Sequence, residues 1–479
     1  MTTIETILYK HGPMMSSELA RKLEEADSIP TNTASQQVSR SGKIEKIKGF
    51  YTSNQSFCYL KEHESNGIFY EMFVKSLYDN GRKYWYSINA LRLHGGILNQ
   101  RFLECYTNYP VIALKGHLPF NMVMQKFVKE GILVYSGSYY SLSLKLGFNR
   151  TSSVANKTIE MIKEDILSSF QNLVKKTGII SFNTGELFAE YGKFRWAFKG
   201  VSTIIGLVQN GNPGFLLADI IIGTSIYEND VRFFIEKLGH IQSYKNGPRI
   251  IPFLIVDDLD KKALRLLKQK GVVVGFIGEL FGQKYAETLK ELVTILKNAG
   301  ANLKQNPEIY LDLIKELKRY NEGLLNNIKG ALFEYMVGHV HSIDCQSVDI
   351  GREIFENNAR HEMDILAIYS KKIVIAECKA KRSMVDIVTI NNWIEVKIPA
   401  FKTWFDKQET YKKKNLVFEF WSTSGFTNDA QIRLQKFSES AKIYKVNYFQ
   451  STEMREKAIS IDNKKLKEAL DNFFLKTNL

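Results

Sequence analysis

Cysteine is scarce in these 479 residues, and its spacing is wrong for its two common structural uses. Cys58, Cys105, Cys345 and Cys378 stand far apart and make no CxxC pair, so neither a clustered zinc site nor a disulfide framework is indicated. A reducing, intracellular compartment is the expected setting. Long apolar runs are missing too. No stretch approaches the ~18 uninterrupted apolar residues of a membrane span. The opening "MTTIETILYKHGPMMSSELA" has no long apolar run and no small-residue cleavage site, so it does not read as a signal peptide. No GxxxxGK[ST] loop occurs, so NTP hydrolysis by that device is not expected. Acidic side chains are in deficit: 65 Lys and Arg face 51 Asp and Glu, a net charge of +14. Such an excess favours a polyanionic partner, and without a membrane signal that partner is nucleic acid. A cytoplasmic protein with DNA as its partner and no membrane association is expected.

What is present is an ordinary globular composition, 44% hydrophobic and 24% charged, enough for several cores in an α/β multidomain chain. Residues 1–62 read as helix, helix, helix, hairpin. Ile4, Ile7 and Leu8 begin the first helix, and "SSELARKLEEA" is the second, with Leu19, Ala20 and Leu23 on one face. "TNTASQQVSRS" is a short third helix after Pro30, and "KIEKIKGFYTSNQSFCYL" alternates as two strands. This order resembles a winged helix. Its recognition helix would carry Thr33, Gln36, Gln37 and Arg40, and its wing Lys43, Lys46 and Lys48, side-chain types that read base edges and phosphates. A winged helix used for protein contact is the alternative. Residues 63–150 repeat the plan as a second winged-helix-like domain, closing on "KEGILVYSGSYYSLS". Residues 151–300 form a central α/β domain, in which "GFLLADIIIGTSI", "RIIPFLIVDDL" and "VVVGFI" are strands between helices.

The chemistry concentrates in residues 301–479, in "MDILAIYSKKIVIAECKAK". As a strand, "KKIVIAECKAK" puts Ile373, Ile375, Glu377 and Lys379 on one face and Val374, Ala376, Cys378 and Ala380 on the other. A turn at "YSKK" folds it back on "MDILAI", which brings Asp364 beside Glu377. Two carboxylates held together at the end of buried strands repel unless a cation lies between them. Hard oxygen ligands favour Mg²⁺ or Mn²⁺. An adjacent Lys379 can orient or deprotonate a metal-associated water and stabilise charge on a phosphorane. The bland alternative is a buried salt bridge.

The D-x12-E-x-K pattern across two strands resembles the PD-(D/E)xK nuclease superfamily. "NNIKGALFEYMVGHV" looks like that fold's first core helix, with Glu334 as its inward acid, and "STSGFT" with "NDAQIRLQKF" resembles the loop and helix of Mrr-like restriction endonucleases. The likeness covers roughly residues 322–450. It implies a restriction-endonuclease-like α/β/α core in which Asp364 and Glu377 bind Mg²⁺ (or Mn²⁺), Glu334 is a further metal ligand and Lys379 serves the attacking water. The helix after Lys379 lacks the Gln of some Mrr-like relatives and offers Asn391 and Asn392 instead.

Two weaker patterns complete the reading. "GFLLADIIIGTSIYENDVRFFIEKLG" can be laid on "RHEMDILAIYSKKIVIAECKAK", which sets Asp219 on Asp364, Glu236 on Glu377 and Leu238 at the place of Lys379. The central domain would then be an inactive, nuclease-like copy. "PAFKTWFDKQETYKKKN" interleaves aromatic rings with lysines, of which Lys412 and Lys413 are candidate phosphate contacts. The expected function is a metal-dependent DNA endonuclease in restriction or anti-phage defence, with a homodimer and a partner protein of a defence system as further candidate partners. The alternatives are a DNA-binding regulator with a structural nuclease fold, and a junction-resolving or repair nuclease.

Overall fold

The first three helices form where apolar positions recur three and four apart, and the first of them is also capped. In α1 (Thr3–His11), Thr2 Oγ1 accepts from Glu5 N while the Glu5 carboxylate reaches back to Thr2 N at 2.5 Å. Helix α2 (Ser16–Asp27) buries Leu19, Ala20 and Leu23. Helix α3 (Thr31–Arg40) buries Ala34 and Val38, which leaves Thr33, Gln36, Gln37 and Arg40 on its exposed side. The computed structural model describes residues 2–112, 118–209, 211–243, 249–305, 308–356, 359–461 and 463–475. They form a mixed α/β chain with four sheets, divided into two units. One unit comprises Met1–Thr151 with Ile166–Leu280, and the other Ser152–Asp165 with Phe281–Leu479. Among the described residues no helix is long and apolar enough to cross a membrane.

The first unit holds three sheets. Strands β1 (Met14–Met15), β2 (Glu45–Lys48) and β3 (Ser56–Tyr59) pair in the order β1-β3-β2 beside the first three helices. Helices α4 (Gly67–Asn80) and α5 (Arg82–Leu93), strand β4 (Ile97–Asn99), helices α6 (Gln100–Cys105) and α7 (Phe120–Lys129), and the hairpin β5 (Leu133–Ser136) and β6 (Tyr139–Leu142) follow. Their sheet order is β4-β6-β5. Helix α8 (Ser153–Lys176) contributes its C-terminal part to this unit. The central sheet is built from β7 (Glu186–Tyr191), β8 (Phe194–Val201), β9 (Phe215–Ile221), helix α9 (Arg232–Gln242), β10 (Ile250–Val256), helix α10 (Lys261–Gln269), β11 (Val273–Phe276) and α11 (Ile277–Phe281). Pairs β7–β8 and β8–β9 are antiparallel, and β9–β10 and β10–β11 parallel.

In the second unit, helices α12 (Gln283–Lys297), α13 (Ala299–Gln305), α14 (Ile309–Tyr320), α15 (Glu322–Asn327) and α16 (Lys329–Ser342) lead to β12 (Ser347–Glu356), β13 (Ala359–Ile368) and β14 (Lys372–Lys379). Helix α17 (Ile387–Asn392), a π turn (Trp393–Lys397) and helix α18 (Ile398–Asp406) then cross to β15 (Asn415–Ser422), and helix α19 (Asn428–Ser440) crosses to β16 (Lys445–Phe449). The order is β12-β13-β14-β15-β16, with the first two pairings antiparallel and the last two parallel. This is the same order and sense as the central sheet. The division between the units falls at residues 280–281 rather than at the expected 300. Gly300 explains it: α13 lies so close to Val348 O of β12 that a Cβ there would collide, so these helices belong to the second unit.

Candidate active site

Apolar alternation places the site. Ile373 and Ile375 of β14 join Leu366, Phe418, Phe420, Trp393, Ile398 and Phe401 in one core. Strands β13 and β14 pair Leu366 with Ile375 and Ile365 with Ala376, so the next rung sets Asp364 opposite Glu377. The core runs out at that rung. Asp364 is 7% and Glu377 4% exposed. Asp364 Oδ2 accepts from Cys378 N at 2.7 Å. Lys379 Nζ lies 2.6 Å from Glu377 Oε1 and 3.6 Å from Asp364 Oδ2. Glu334 arrives from α16, which packs on β12, β13 and β14. Its Oε2 is buried with no hydrogen-bond partner among the described residues.

Sequence reasoning missed one member. Lys397 Nζ donates to both oxygens of Glu377, at 2.7 and 2.6 Å. It ends the π turn, where Ile398 N bonds Trp393 O across five residues. Pro399 has no N–H for the α-helical rung to Glu395, so the turn widens. Asn391, the expected polar group of this helix, is instead engaged by Arg433 Nε at 3.1 Å, and Asn392 is exposed. A lysine 18 residues after Lys379 has no linear signature. The nearest clue is proline inside a helical pattern.

Electrostatics divide the acids. Burial, then Glu377, pushes the Asp364 carboxyl up to about 7, against the pull of Lys379 and Lys397. Burial and the neighbouring Asp364 and Glu362 carboxylates raise Glu334 well above the carboxylate range. Burial opposes charge on Glu377 as well, yet Lys379 and Lys397 hold it below the usual value. Burial disfavours the Lys379 ammonium, but Asp364 and Glu377 outweigh that and raise it. Lys379 therefore stays charged. It can orient a water and neutralise an oxyanion, but it cannot take a proton, which narrows the role expected from the sequence.

A pH dependence follows. A carboxyl raised on folding stabilises the fold most below its unfolded value and loses that contribution as pH rises through its folded value. Glu377 works oppositely, but its window lies below the ordinary carboxylate value. In EDTA, the unfolding midpoint should fall between pH 5 and 8, and Asp364→Asn should flatten the slope. An equal slope in the variant would assign the effect to other groups.

The other predicted residues are dispersed. His361 and Glu362, just before Asp364, are half-buried, and Glu362 Oε1 accepts from Ser153 Oγ at 2.7 Å. Phe401 and Phe405 of the aromatic and lysine segment are buried in the core. Lys412 and Lys413 precede β15, whose start pairs with Lys372 and whose end, Ser422, pairs with Lys379. They therefore sit at the opposite end of the sheet from the carboxylates, roughly 20 Å away at about 3.3 Å per residue. Lys412 bonds Glu409, and Lys413 is exposed. Gln36, Gln37, Arg40, Lys43 and Lys48 are exposed in the first unit. Lys46 is not free: its Nζ caps the end of α3 on Ser39 O at 2.9 Å and Ser41 O at 2.8 Å.

The register also corrects the comparison with the central sheet. Pairing of Phe198 with Ala218 sets Asp219 across from Ala197, whose N donates to Asp219 Oδ1 at 2.9 Å. With equal strand order, Asp219 occupies the place of Glu377, not of Asp364; Ala197 takes that of Asp364, and Ile221 that of Lys379. The counterpart of Lys397 is Lys237 on α9, the helix between the corresponding parallel strands. Its Nζ bonds Asp219 Oδ2 at 2.7 Å, and both side chains are fully buried. Glu236 turns elsewhere, accepting from Tyr86 Oη and from Asn108 Nδ2.

No family model matches this sequence, and no curated protein matches it. A solved structure, protein VC1899 from Vibrio cholerae, aligns over 50% of this chain and 53% of its own, with 11% identity and a TM-score of 0.19. The chain spans about half the length of that protein, and at this score the likeness carries no argument.

Proposed function

We propose that this chain is a metal-dependent nuclease acting on DNA, with Asp364, Glu377 and Lys379 at its centre. The observation that carries the reading is the rung that opposes two buried carboxylates, with the Lys379 ammonium 2.6 Å from one and 3.6 Å from the other. Among the described residues no three acidic, His or Cys side chains converge into a ready metal cage. The donors nevertheless fit a hard cation. Asp364 and Glu377 are oxygen ligands at one strand end, and Glu334 Oε2 is buried without a partner. Mg²⁺ takes few protein ligands and keeps several waters. Asp364, Glu377 and Glu334 would hold Mg²⁺ or Mn²⁺, which would supply positive charge to the phosphate and acidity to a bound water. Lys379 orients that water and stabilises the phosphorane, and Lys397 holds Glu377 ionised until the site is loaded.

The order of helices and hairpin in residues 1–62 and 63–150 supports tandem winged-helix domains that bind DNA, and the central sheet is read as a second, inactive copy of the C-terminal core. A restriction or anti-phage role rests on fold analogy. The DNA-binding reading separates two neighbouring cations. Arg40→Ala should weaken duplex binding about threefold to tenfold with unchanged melting, since Arg40 is exposed. Lys46→Met should lower stability by about 1 kcal/mol through lost capping of α3. Anisotropy and thermal melts on both variants check this, and unaltered binding by Arg40→Ala would remove α3 from the interface.

The double lysine hold on Glu377 favours one other reading, a regulator or assembly subunit whose ion-pair cluster is structural. Plasmid cleavage in Mg²⁺ against an EDTA control decides between them.

A further inference from the structure

Beside the candidate centre, the second unit carries a cavity of ≈ 580 Å³. Ala380, Lys381 and Arg382, directly after Lys379, line one wall, and Thr423 and Ser424, directly after β15, continue it. These two strand ends are tied: Thr423 N donates to Lys379 O at 3.1 Å, and Ser424 Oγ to Ser383 O at 2.6 Å. The cavity therefore opens at the carboxyl ends of two parallel strands, the usual ligand end of an α/β sheet. Lys318, Lys329 and Phe473 also line it.

The charge there is one-sided. Lys318, Lys329, Lys381 and Arg382 face a single acid, Glu322, and among the described residues none of the four forms an ion pair. Lys329 lies 5.7 Å from the centroid of the Phe473 ring. Burial and Arg382 both disfavour charge on Lys329, so the cavity is short of anions. Phe473 is half-buried and braced edge-on by Phe474 at 4.8 Å, while Phe474 itself is 2% exposed. An unpaired cationic wall beside a braced aromatic ring is the combination that holds an unpaired strand: the cations take phosphates and the ring stacks a base. In an intact duplex the base faces are already covered by their neighbours, so the ring has nothing to stack on.

We propose that this groove binds a single nucleic-acid strand next to the bond to be cut, its phosphates on Lys381, Arg382 and Lys318 and a base on Phe473. The adjacent bond is called scissile only on the nuclease reading above; the binding itself does not depend on it. The substrate would then carry an unpaired segment beside the cut, as a free single strand, a flap or an opened duplex end.

The test uses the full chain carrying Lys379→Ala, in EDTA, with a labelled single strand of about 20 nucleotides and the matching duplex, read by fluorescence anisotropy. Lys381→Ala with Arg382→Ala should weaken single-strand binding at least about tenfold and make the salt slope shallower by about 1.4. Phe473→Ala should cost about tenfold, and Phe473→Trp should retain or tighten binding, which a ring needed only for packing would not show. Duplex affinity should be unchanged throughout, and Lys436→Ala, a surface lysine on α19, should change neither. Equal losses for both probes, or none for the single strand, would overturn the groove. Absence of metal-dependent cutting by the unaltered chain, with single-strand binding still lost in the groove variants, would overturn the nuclease reading and leave the groove standing.

Discussion

Lys379→Ala should reduce Mg²⁺-dependent nicking of supercoiled plasmid by about a hundredfold to a thousandfold, with DNA binding in EDTA preserved. The size of the effect comes from the geometry. The ammonium is held by Glu377 and Asp364 and stays charged because both raise its proton affinity. On the nuclease reading, its removal takes away a preorganised positive charge at the point where a phosphorane would develop. Lys379→Arg should recover only part of the rate, because a planar guanidinium cannot reproduce a point charge between two carboxylates. A preparation in which the alanine variant cuts as fast as the unaltered protein would place the activity elsewhere. One in which neither cuts while both bind DNA would favour the structural reading of the cluster.

Lys237→Met should cost the first unit about 3–5 kcal/mol, a large share of an ordinary domain's roughly 5–15 kcal/mol. Lys237 Nζ has three acceptors, Asp219 Oδ2 at 2.7 Å, Arg195 O at 2.7 Å and Cys105 O at 2.8 Å, and it lies 4.0 Å from the centroid of the Trp196 ring. Burial already opposes ionisation of Asp219, with Lys237 and the Ala197 N–H working against it. Without Lys237, the carboxylate is buried with one backbone donor. Trp196 gives an adjacent fluorescence report of guanidinium unfolding. The double variant Asp219→Leu with Lys237→Met should lose less than the single one, since replacing a buried pair by apolar groups is often neutral. A loss below about 1 kcal/mol for Lys237→Met alone would show that the pair does not hold this fold together.

The hairpin that carries Asp364 and Glu377 was legible because apolar alternation survives along both strands and the polar turn "YSKK" separates them. Strands β7 and β8 leave no such trace in the sequence. Lys193, Arg195 and Lys199 interrupt their apolar pattern, and their two-residue turn is Gly192-Lys193, both at positive φ (56° and 76°), without the Asn-Gly pair that usually marks it. Without those two strands the internal comparison slips by one strand and sets Asp219 on Asp364, whereas the strand order puts it on the strand that corresponds to that of Glu377. The ammonium groups that matter most beyond Lys379 could not be read at all. Lys237 and Lys397 reach their carboxylates from crossover helices, and only the register says which strand end each helix covers. Lys46 shows the same limit: its position fitted a phosphate contact, and its side chain is spent on carbonyls of its own domain.

The two sheets solve one electrostatic problem by different means. In the central sheet the counter-charge is tethered to the chain, so its local concentration never falls and no chelator can strip it. At the C-terminal sheet Glu377 has two tethered counter-charges close by and Asp364 only the more distant Lys379 at 3.6 Å, whereas the buried Oε2 of Glu334 has no hydrogen-bond partner among the described residues. On the proposed metal-site reading, dialysis against a chelator should leave the folding of the central sheet untouched and move only the C-terminal end, which would make divalent ions a handle on one of two sheets with the same strand order while the other stays deaf to them.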